Sequence, residues 1–262
     1  MIHLPELEHD APECFPNPVH ALDEPNGLLA LGGDLSPQRL LAAYARGIFP
    51  WYSETQPILW WSPDPRCVFD TSALSPNRSL RRQLAHSTWQ FSVDHAFEEV
   101  INACARKRPG QSESWITADM IDAYTTMHAQ GHTHSVEVWN NASLIGGIYG
   151  VAMGRMFFGE SMFSRESGGS KAALTVLGAL LRDWGYPLLD AQIANPHLLA
   201  LGAHDIPRRE FLNHLHNMRG DPKHPSAWHQ APRRPLWAFL STRNVKRARQ
   251  ESDETYLKTQ TP

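Results

Sequence analysis

The chain has 262 residues, 42% of them hydrophobic and nine of them tryptophan. This is enough apolar material for one large domain or two ordinary ones, and it excludes a disordered chain. The formal net charge is −3, with 24 basic against 27 acidic residues, so any nucleic-acid site must be a local basic patch. The N-terminus is acidic and proline-interrupted, the apolar runs are short, and the three cysteines are widely spaced. We therefore expect a cytoplasmic protein with no disulfide framework and no membrane association.

The first sixty residues are rich in proline, glycine and aromatic residues, and they predict one helix. Ser36 is a favourable N-cap, Pro37 suits the first helical position, and Gly47 follows the last turn as a stop. The prolines after Gly47 favour short extended segments. We predict an N-terminal domain over residues 1–64.

The pattern of residues 65–240 predicts an α+β, or mixed α/β, domain. It indicates helices, then a three-stranded meander, then a helix, a strand and two more helices. Helices are predicted at 77–86, 94–106, 117–130, 170–184, 197–201 and 207–218, and strands at 135–139, 144–153, 155–161 and 187–193. The polar segment 241–262 is predicted to be a disordered tail.

Two places combine carboxyl groups with apolar strands. Glu160 stands at a strand end built from Phe and Met, so it needs a partner. That partner is either a structural one, such as Arg165, or part of a functional site. Asp190 and Gln192 are two residues apart in a predicted strand, so we expect their side chains on one face. They form either a hydrogen-bonded structural pair in the core or part of a functional site.

Other candidate sites are weaker. The segment from Arg165 through Gly168 and Gly169 to Ser170 precedes a helix and is similar to the loop with which GNAT acyltransferases hold the coenzyme A pyrophosphate. The match is imperfect at Ser170, and a flexible turn is the alternative. His132 and His134 share a strand face without a third ligand, so no metal site is predicted.

Basic clusters and tryptophans admit both a functional and a structural interpretation. The basic residues either contact phosphates or are ordinary solvent-exposed charges. They are Arg78, Arg81 and Arg82, and the clusters at 106–108, 208–209 and 246–249. Trp51, Trp60, Trp61 and Trp115 either line a pocket or fill the core. No Ser or Cys nucleophile stands beside an obvious His base, so an acyl-transfer enzyme of this kind needs an already activated acyl group.

A set of ordered, unusual motifs resembles the leucyl/phenylalanyl-tRNA–protein transferase family over about residues 17–218. The motifs are EPNGLLA at 24–30, GGDL at 32–35, RGIFPW at 46–51, WWSPDPR at 60–66, WIT at 115–117, HSVEVW at 134–139, GESMFS at 159–164 and IPRR at 206–209. The resemblance implies a small N-terminal domain joined to a GNAT-like domain. It also implies transfer of Leu, Phe or, less well, Met from aminoacyl-tRNA to proteins that begin with Arg or Lys, which marks them for N-degron degradation. Neither a metal nor another cofactor is implied, and a monomer is the default expectation.

The resemblance also assigns site residues. Glu160, Asp190 and Gln192 fall on the acceptor and catalytic positions, where the family's proposal is that Asp190 polarises Gln192 and Gln192 takes a proton from the amine. Because a carboxamide is a very weak base, our hypothesis is that Gln192 orients the amine through its carbonyl. Asp190 and Glu160 would then bind the cationic N-terminal residue.

The remaining assignments concern the two ends of the aminoacyl-tRNA. The residues expected to bind the apolar side chain and the terminal adenosine are Trp51, Trp115, Tyr124, Ile148, Phe157, Met162 and Ser164. Ile148 stands where the family often has Met, which keeps the wall apolar but retunes the preference among Leu, Phe and Met. Arg78, Arg81 and Arg82 are expected on the acceptor stem. An acyl-coenzyme A enzyme and a non-catalytic tRNA-binding module are the competing interpretations.

Overall fold

A computed structural model describes residues 4–106, 114–220, 228 and 231–241. Within these ranges the fold is mixed α/β, as predicted, and it contains two sheets. The predicted disorder after residue 241 and the basic cluster at 246–249 lie outside the described residues, as does part of the cluster at 106–108.

The first sheet has four strands in the order β1-β2-β4-β3. In chain order, the elements of this region are β1 (Glu6–Leu7), a 3-10 helix (Pro18–His20), β2 (Leu28–Gly32), α1 (Pro37–Tyr44), β3 (Phe49–Pro50) and β4 (Leu59–Trp61). The predicted caps of α1 are largely confirmed. The Ser36 side chain accepts the Arg39 N–H at 3.4 Å, and Gly47, with φ of 72°, turns the chain three residues after the helix ends at Tyr44.

Arg39 is buried completely and fastens the first segment to this region. Its guanidinium forms an ion pair with Asp34 at 3.2 Å and donates to the backbone carbonyls of Glu8, His9 and Ala11. A buried cation needs such a full set of acceptors, so this cluster explains why a charged residue faces inward from α1.

The second sheet has eight strands in the order β11-β5-β10-β9-β8-β7-β6-β12. Its strands are β5 (Arg66–Asp70), β6 (Gln90–Val93), β7 (Thr133–Asn140), β8 (Ser143–Met153), β9 (Met156–Ser164), β10 (Leu188–Gln192), β11 (His204–Ile206) and β12 (Ala231–Pro235). The predicted antiparallel meander β7–β8–β9 and the strand β10 are confirmed. The strands β5, β6, β11 and β12 were not predicted.

Helices cover both faces of this sheet. They are α2 (Arg78–Ala85), α3 (Phe97–Ala105), α4 (Ala118–Ala129), α5 (Gly169–Asp183), α6 (Pro196–Ala200) and α7 (Arg208–Met218), all within about three residues of their predicted bounds. One core contains buried residues of α1, α3, α4 and α7, and the other contains those of α2 and α5. The sheet therefore separates two apolar layers.

Two irregularities interrupt the central strands. Between β8 and β9 the register shifts so that Glu160 has no partner opposite it, and Glu160 is the extra residue of a β-bulge. In β10, Asp190 lies opposite Val68 but Gln192 lies opposite Cys67, so a second bulge falls at Ala191. The parallel pairing of β9 with β10 ends at Asp190, and the two strands diverge beyond it.

Candidate active site

A cavity of about 300 Å³ opens where β9 and β10 diverge. Residues after the last β9–β10 pair supply much of its wall, and the segment around β3 closes it. The cavity is lined by Phe49, Pro50, Trp51, Phe69, Trp115, Ile148, Gly159, Glu160, Ser161, Met162, Leu174, Leu189, Ala191, Gln192, Ile193, Ala194, Asn195 and Leu198. The wall is mainly apolar, and among the described residues that line it Glu160 is the one ionisable side chain.

Glu160 is held by three hydrogen-bond donors. Its Oε1 accepts the Tyr44 hydroxyl at 2.7 Å and the Gln192 Nε2 at 2.9 Å, and its Oε2 accepts the Tyr124 hydroxyl at 3.2 Å. The two tyrosine hydroxyls also contact each other. Arg165, named above as a possible partner, is engaged elsewhere, because it donates to the Leu144 carbonyl at 3.0 Å.

Burial governs the ionisation of this cluster. It raises the pKa of Glu160 to about 7, against hydrogen bonds that lower it, and the charge of Asp190 adds to the rise. Burial and the nearby Glu160 carboxylate also raise the pKa values of Tyr44 and Tyr124 well above their ordinary value. At neutral pH the tyrosines are therefore hydroxyl donors, while a pKa of about 7 leaves Glu160 populated in both protonation states.

Asp190 is enclosed on the other side of the strand. Its carboxylate has no exposed surface and forms a two-point ion pair with Arg66, at 2.8 Å from Nε to Oδ1 and 2.6 Å from Nη2 to Oδ2. The prediction that Asp190 and Gln192 share one face of the strand is wrong. Asp190 pairs with Val68, but the bulge at Ala191 pairs Gln192 with Cys67, which points to the opposite face from Val68. Asp190 reaches Gln192 only through the backbone, accepting its N–H at 2.9 Å.

The residues expected to bind the amino acid divide into two groups. Trp51, Trp115, Ile148 and Met162 line the cavity. Tyr124 lies behind Glu160, as its hydrogen bond shows. Phe157 and Ser164 do not line it. Phe157 stacks on Trp228 with ring centroids 5.4 Å apart, and the Ser164 Oγ accepts the Ser170 N–H at 2.7 Å at the start of α5.

The three arginines expected to contact tRNA are exposed on α2. Helix α2 lies beside the loop that leads into α5, because Gln83 Nε2 donates to the Ser167 carbonyl at 2.7 Å. In that loop the Gly169 N–H is bonded to the Glu166 carbonyl at 3.0 Å. With the Ser170 N–H occupied as well, the glycine loop does not offer these two amides to an anion.

A second cavity, of about 540 Å³, adjoins the first and shares Trp51 and Trp115 with it. Trp51 is 40% exposed, and its ring centroid lies 5.4 Å from that of Trp61. The Trp61 indole N–H donates to the Trp51 carbonyl at 2.6 Å, which fixes the backbone of this wall. Trp51 and Trp115 therefore stand between the first cavity and a second one on the side of the first sheet.

Two residues of the cluster were not predicted as site residues. Tyr44 lies in α1 and was not named above as a site residue, and its hydroxyl is the closest donor to Glu160. Arg66 ends the WWSPDPR motif, and the signal for its role is a cation followed directly by the apolar residues Cys67, Val68 and Phe69.

Among the described residues, no three His, Cys, Asp or Glu side chains come together as a metal ion would need. His134, considered above as a ligand, is paired with Asp94 at 2.7 Å. None of the helices described is both long enough and apolar enough to cross a membrane.

Comparison with known proteins tests the resemblance drawn from the motifs. A family model described as leucyl/phenylalanyl-tRNA protein transferase matches residues 68–216, and the model of the N-terminal domain of that family matches residues 33–64. The chain is 60% identical over 215 residues to a leucyl/phenylalanyl-tRNA–protein transferase of Xanthomonas euvesicatoria, covering 82% of this chain and 86% of the relative. The chain belongs to this family. A relative in Xylella fastidiosa with the same name is 55% identical over 215 residues and has 88% of its length covered.

Family membership confirms the resemblance and bears on the site. Every residue that lines the first cavity falls within one of the two regions that the leucyl/phenylalanyl-tRNA–protein transferase models match. Among solved structures, L-PGS from Bacillus licheniformis is 10% identical with a TM-score of 0.37, over 64% of this chain and 53% of that one. A TM-score of this size is too low to assign a common fold.

Proposed function

We propose that this protein transfers Leu, Phe or Met from aminoacyl-tRNA to the α-amine of proteins that begin with Arg or Lys, and so marks them for N-degron degradation. The observation that carries the proposal is an apolar cavity in which Glu160, the one ionisable group among the described lining residues, is hydrogen-bonded to the carboxamide of Gln192. The names of the relatives agree with it.

The donor substrate accounts for the apolar walls. Phe69, Ile148, Met162 and Leu189 surround a space suited to a Leu, Phe or Met side chain. The terminal adenosine would lie against Trp51 and Trp115, because flat indole rings stack well on nucleobases. Phe157 and Ser164 do not line the cavity, so we assign them no direct contact with the substrate.

The chemistry needs little beyond positioning and one proton acceptor. The amine nitrogen attacks the ester carbonyl, a C–N bond forms, and the ester C–O bond to the tRNA ribose breaks. An α-amine has a pKa near 8, so a fraction of it is neutral at pH 7. Since the amide nitrogen of Gln192 is bonded to Glu160, its carbonyl oxygen is the group that orients the amine. Glu160, with its pKa of about 7, accepts the amine proton, and the ribose oxygen leaves with a proton from solvent.

Asp190 has a different place in this scheme. Its carboxylate is buried against Arg66 and contacts the backbone of Gln192 rather than its carboxamide. The hypothesis that Asp190 binds the acceptor's cationic side chain is therefore withdrawn, and Glu160 is assigned to the acceptor's α-amine.

The tRNA body would be bound through phosphates. Helix α2 lies beside the loop that leads into α5, and it exposes Arg78, Arg81 and Arg82. Leu174 of α5 lines the cavity. A short basic helix next to the cavity is suited to an acceptor stem, with weak sequence preference and strong salt dependence.

The architecture and setting complete the proposal. We propose a GNAT-like domain over residues 65–240 after an N-terminal domain over 1–64, which the separation into two sheets supports. The diverging parallel strands β9 and β10 support the GNAT-like assignment. A cytoplasmic monomer remains our expectation.

The test is transfer of labelled Phe from Phe-tRNA to a peptide that begins with Arg, beside the same peptide with its N-terminus acetylated. Incorporation into the free peptide alone is expected. Incorporation into neither, with Leu-tRNA also tried, would reject the proposal. A coenzyme A titration in parallel would then identify an acyl-coenzyme A enzyme.

A further inference from the structure

One buried cation, Arg66, joins the two walls of the first cavity. Its Nε and Nη2 atoms donate to the carboxylate oxygens of Asp190, and Nη1 donates to the Gly47 carbonyl at 2.9 Å. The guanidinium also lies between the rings of Phe49 and Phe211, whose centroids are 4.9 and 4.5 Å from its central carbon. The side chain has no exposed surface.

The first connection runs from Arg66 to Gln192. The Asp190 oxygen that meets Nε also accepts the Gln192 N–H. Gln192 has a φ of 62°, a left-handed conformation that a residue with a side chain keeps only where its surroundings hold it. The carboxylate held by Arg66 therefore fixes the bulge from which the Gln192 side chain reaches Glu160.

The second connection runs from Arg66 to the tryptophan wall. Gly47 leads directly into β3, and Phe49, Pro50 and Trp51 form that side of the cavity. Gly47 has a φ of 72°, a left-handed conformation that favours glycine, and a Cβ there would lie 2.7 Å from the end of the Leu212 side chain. The bond from Arg66 to the Gly47 carbonyl therefore connects the guanidinium to the start of this wall.

We infer that Arg66 is a positioning residue that holds the Gln192 bulge and the Trp51 wall in register with each other. The inference rests on the proposed transfer reaction. In that reaction Gln192 orients the attacking amine and the Trp51 wall binds the aminoacyl end of the tRNA, and Arg66 positions both. Three nitrogen atoms of one planar group make these bonds, and lysine offers a single nitrogen. Arg66 itself does not line the cavity.

The experiment compares Arg66→Lys with Arg39→Lys, a matched control. Arg39 is equally buried, is paired with Asp34 and is bonded to backbone carbonyls, but it belongs to the first sheet's region. With Phe-tRNA and a peptide beginning with Arg, Arg66→Lys is expected to lower kcat about a hundredfold and to raise the KM for Phe-tRNA about tenfold. Arg39→Lys should leave both constants within about threefold of wild type.

A third variant separates the two connections. Asp190→Asn leaves the bond from Arg66 to the Gly47 carbonyl, but it removes the two-point ion pair that holds residue 190 beneath Gln192, because the amide nitrogen cannot accept from the guanidinium. It should therefore lower kcat while the KM for Phe-tRNA stays within about threefold. If Arg66→Lys and Arg39→Lys change the constants equally, Arg66 is only structural and the inference is overturned.

If Arg66→Lys does not fold, as a missing cooperative melt would show, the double variant Arg66→Gln with Asp190→Asn replaces it. This variant removes both buried charges together. This double variant should show the raised KM, because glutamine does not span Gly47 and residue 190 together. A wild-type KM in the double variant overturns the inference.

A binding measurement distinguishes failure of this inference from failure of the proposed function. The probe is a non-reactive amide analogue of phenylalanyl-adenosine, titrated by calorimetry. Arg66→Lys should weaken its binding about tenfold, and Arg39→Lys should not. Wild-type protein that binds the analogue but transfers no Phe rejects the proposed function alone. Unchanged binding in Arg66→Lys, with transfer intact in the wild type, rejects the inference alone, and a wild type that does not bind the analogue overturns both.

Discussion

Two buried glutamates of the same sheet, Glu160 and Glu137, differ in their access to a cavity. Burial raises the pKa of both carboxyl groups. The Glu137 carboxylate is closed in by the hydroxyls of Ser92 and Ser135 and the His95 N–H, all from its own strand or the adjoining β6 region. It does not line the first cavity.

Glu160 instead collects donors from α1, α4 and β10, and one side of it faces the cavity. The comparison shows that a raised pKa is not sufficient to mark a site in this molecule. Access to a cavity is the property that distinguishes Glu160, which we propose to be functional, from Glu137.

The largest expected effect separates the two glutamates by activity. Glu160→Gln should lower kcat/KM for transfer by about 10²–10⁴, because the proton acceptor is lost. Glutamine fits the site, since its oxygen accepts from Tyr44 and Gln192 and its nitrogen donates to the Tyr124 oxygen. Glu137→Gln should stay within about threefold of wild type. Steady-state assays of both variants measure this, and equal losses would remove the distinction.

The pH dependence of transfer sharpens the same test. In the wild type, kcat/KM should rise as pH increases through about 7, where Glu160 deprotonates, and again near 8, where the acceptor amine does. Only the limb near 8 should survive in Glu160→Gln, and it should move with the pKa of the acceptor amine.

Stability should respond in the direction opposite to activity. Because the pKa of Glu160 rises from 4.5 to about 7 on folding, the folded protein binds more protons between these values. The free energy of unfolding contributed by this group is therefore present at low pH and falls by about 3 kcal/mol as pH rises to 7. Glu160→Gln should be more stable than wild type at pH 8 and equal to it below pH 4.5, as measured by urea unfolding. Lower stability of the variant at pH 8 would contradict the burial argument.

A smaller effect compares the basic residues of α2 with a basic residue near Trp139. Reversing the charges of Arg78 and Arg81 to Glu should raise the KM for tRNA about tenfold or more and reduce its salt dependence, with the Leu/Phe preference unchanged. The control is Arg233→Glu on the Glu137 side, where Arg233 lies 3.5 Å from the centre of the Trp139 ring. An altered amino-acid preference would instead put the α2 arginines in the pocket.

The smallest effect concerns the apolar wall. Ile148→Met should change the ratio of kcat/KM values for Leu and Phe by less than about tenfold, because the swap keeps the wall apolar and alters only its shape. Ile145→Met, at a buried position of the same strand that does not line the cavity, should leave the ratio unchanged. Competition between Leu-tRNA and Phe-tRNA measures both.

Local signals explain what could be predicted from the sequence. Ser36 and Pro37 specify the start of α1 through bonds within four residues, and the alternation in β7 to β9 needs only neighbouring turns. The strand β5 escaped prediction because its five residues carry no alternation and its partner β10 lies more than a hundred residues away. Tertiary pairing, not local propensity, makes it a strand.

The site was predicted in composition better than in geometry. Glu160, Gln192, Trp51 and Trp115 do meet at one cavity. The sequence could not predict that Asp190 and Gln192 point to opposite faces of β10. One extra residue at a bulge moves every later side chain of the strand to the other face. A single sequence carries no clear signal for such a bulge.

The bonds that build the site also set when it can form. Tyr44 and Glu160 are 116 residues apart, and Arg66 and Asp190 are 124 apart. Contacts of such long range close late in folding, after the loop entropy between them has been overcome. A chain emerging from the ribosome therefore carries its first sheet long before it has β10, and we expect catalytic competence to appear as a late step of synthesis, after most of the molecule is already folded.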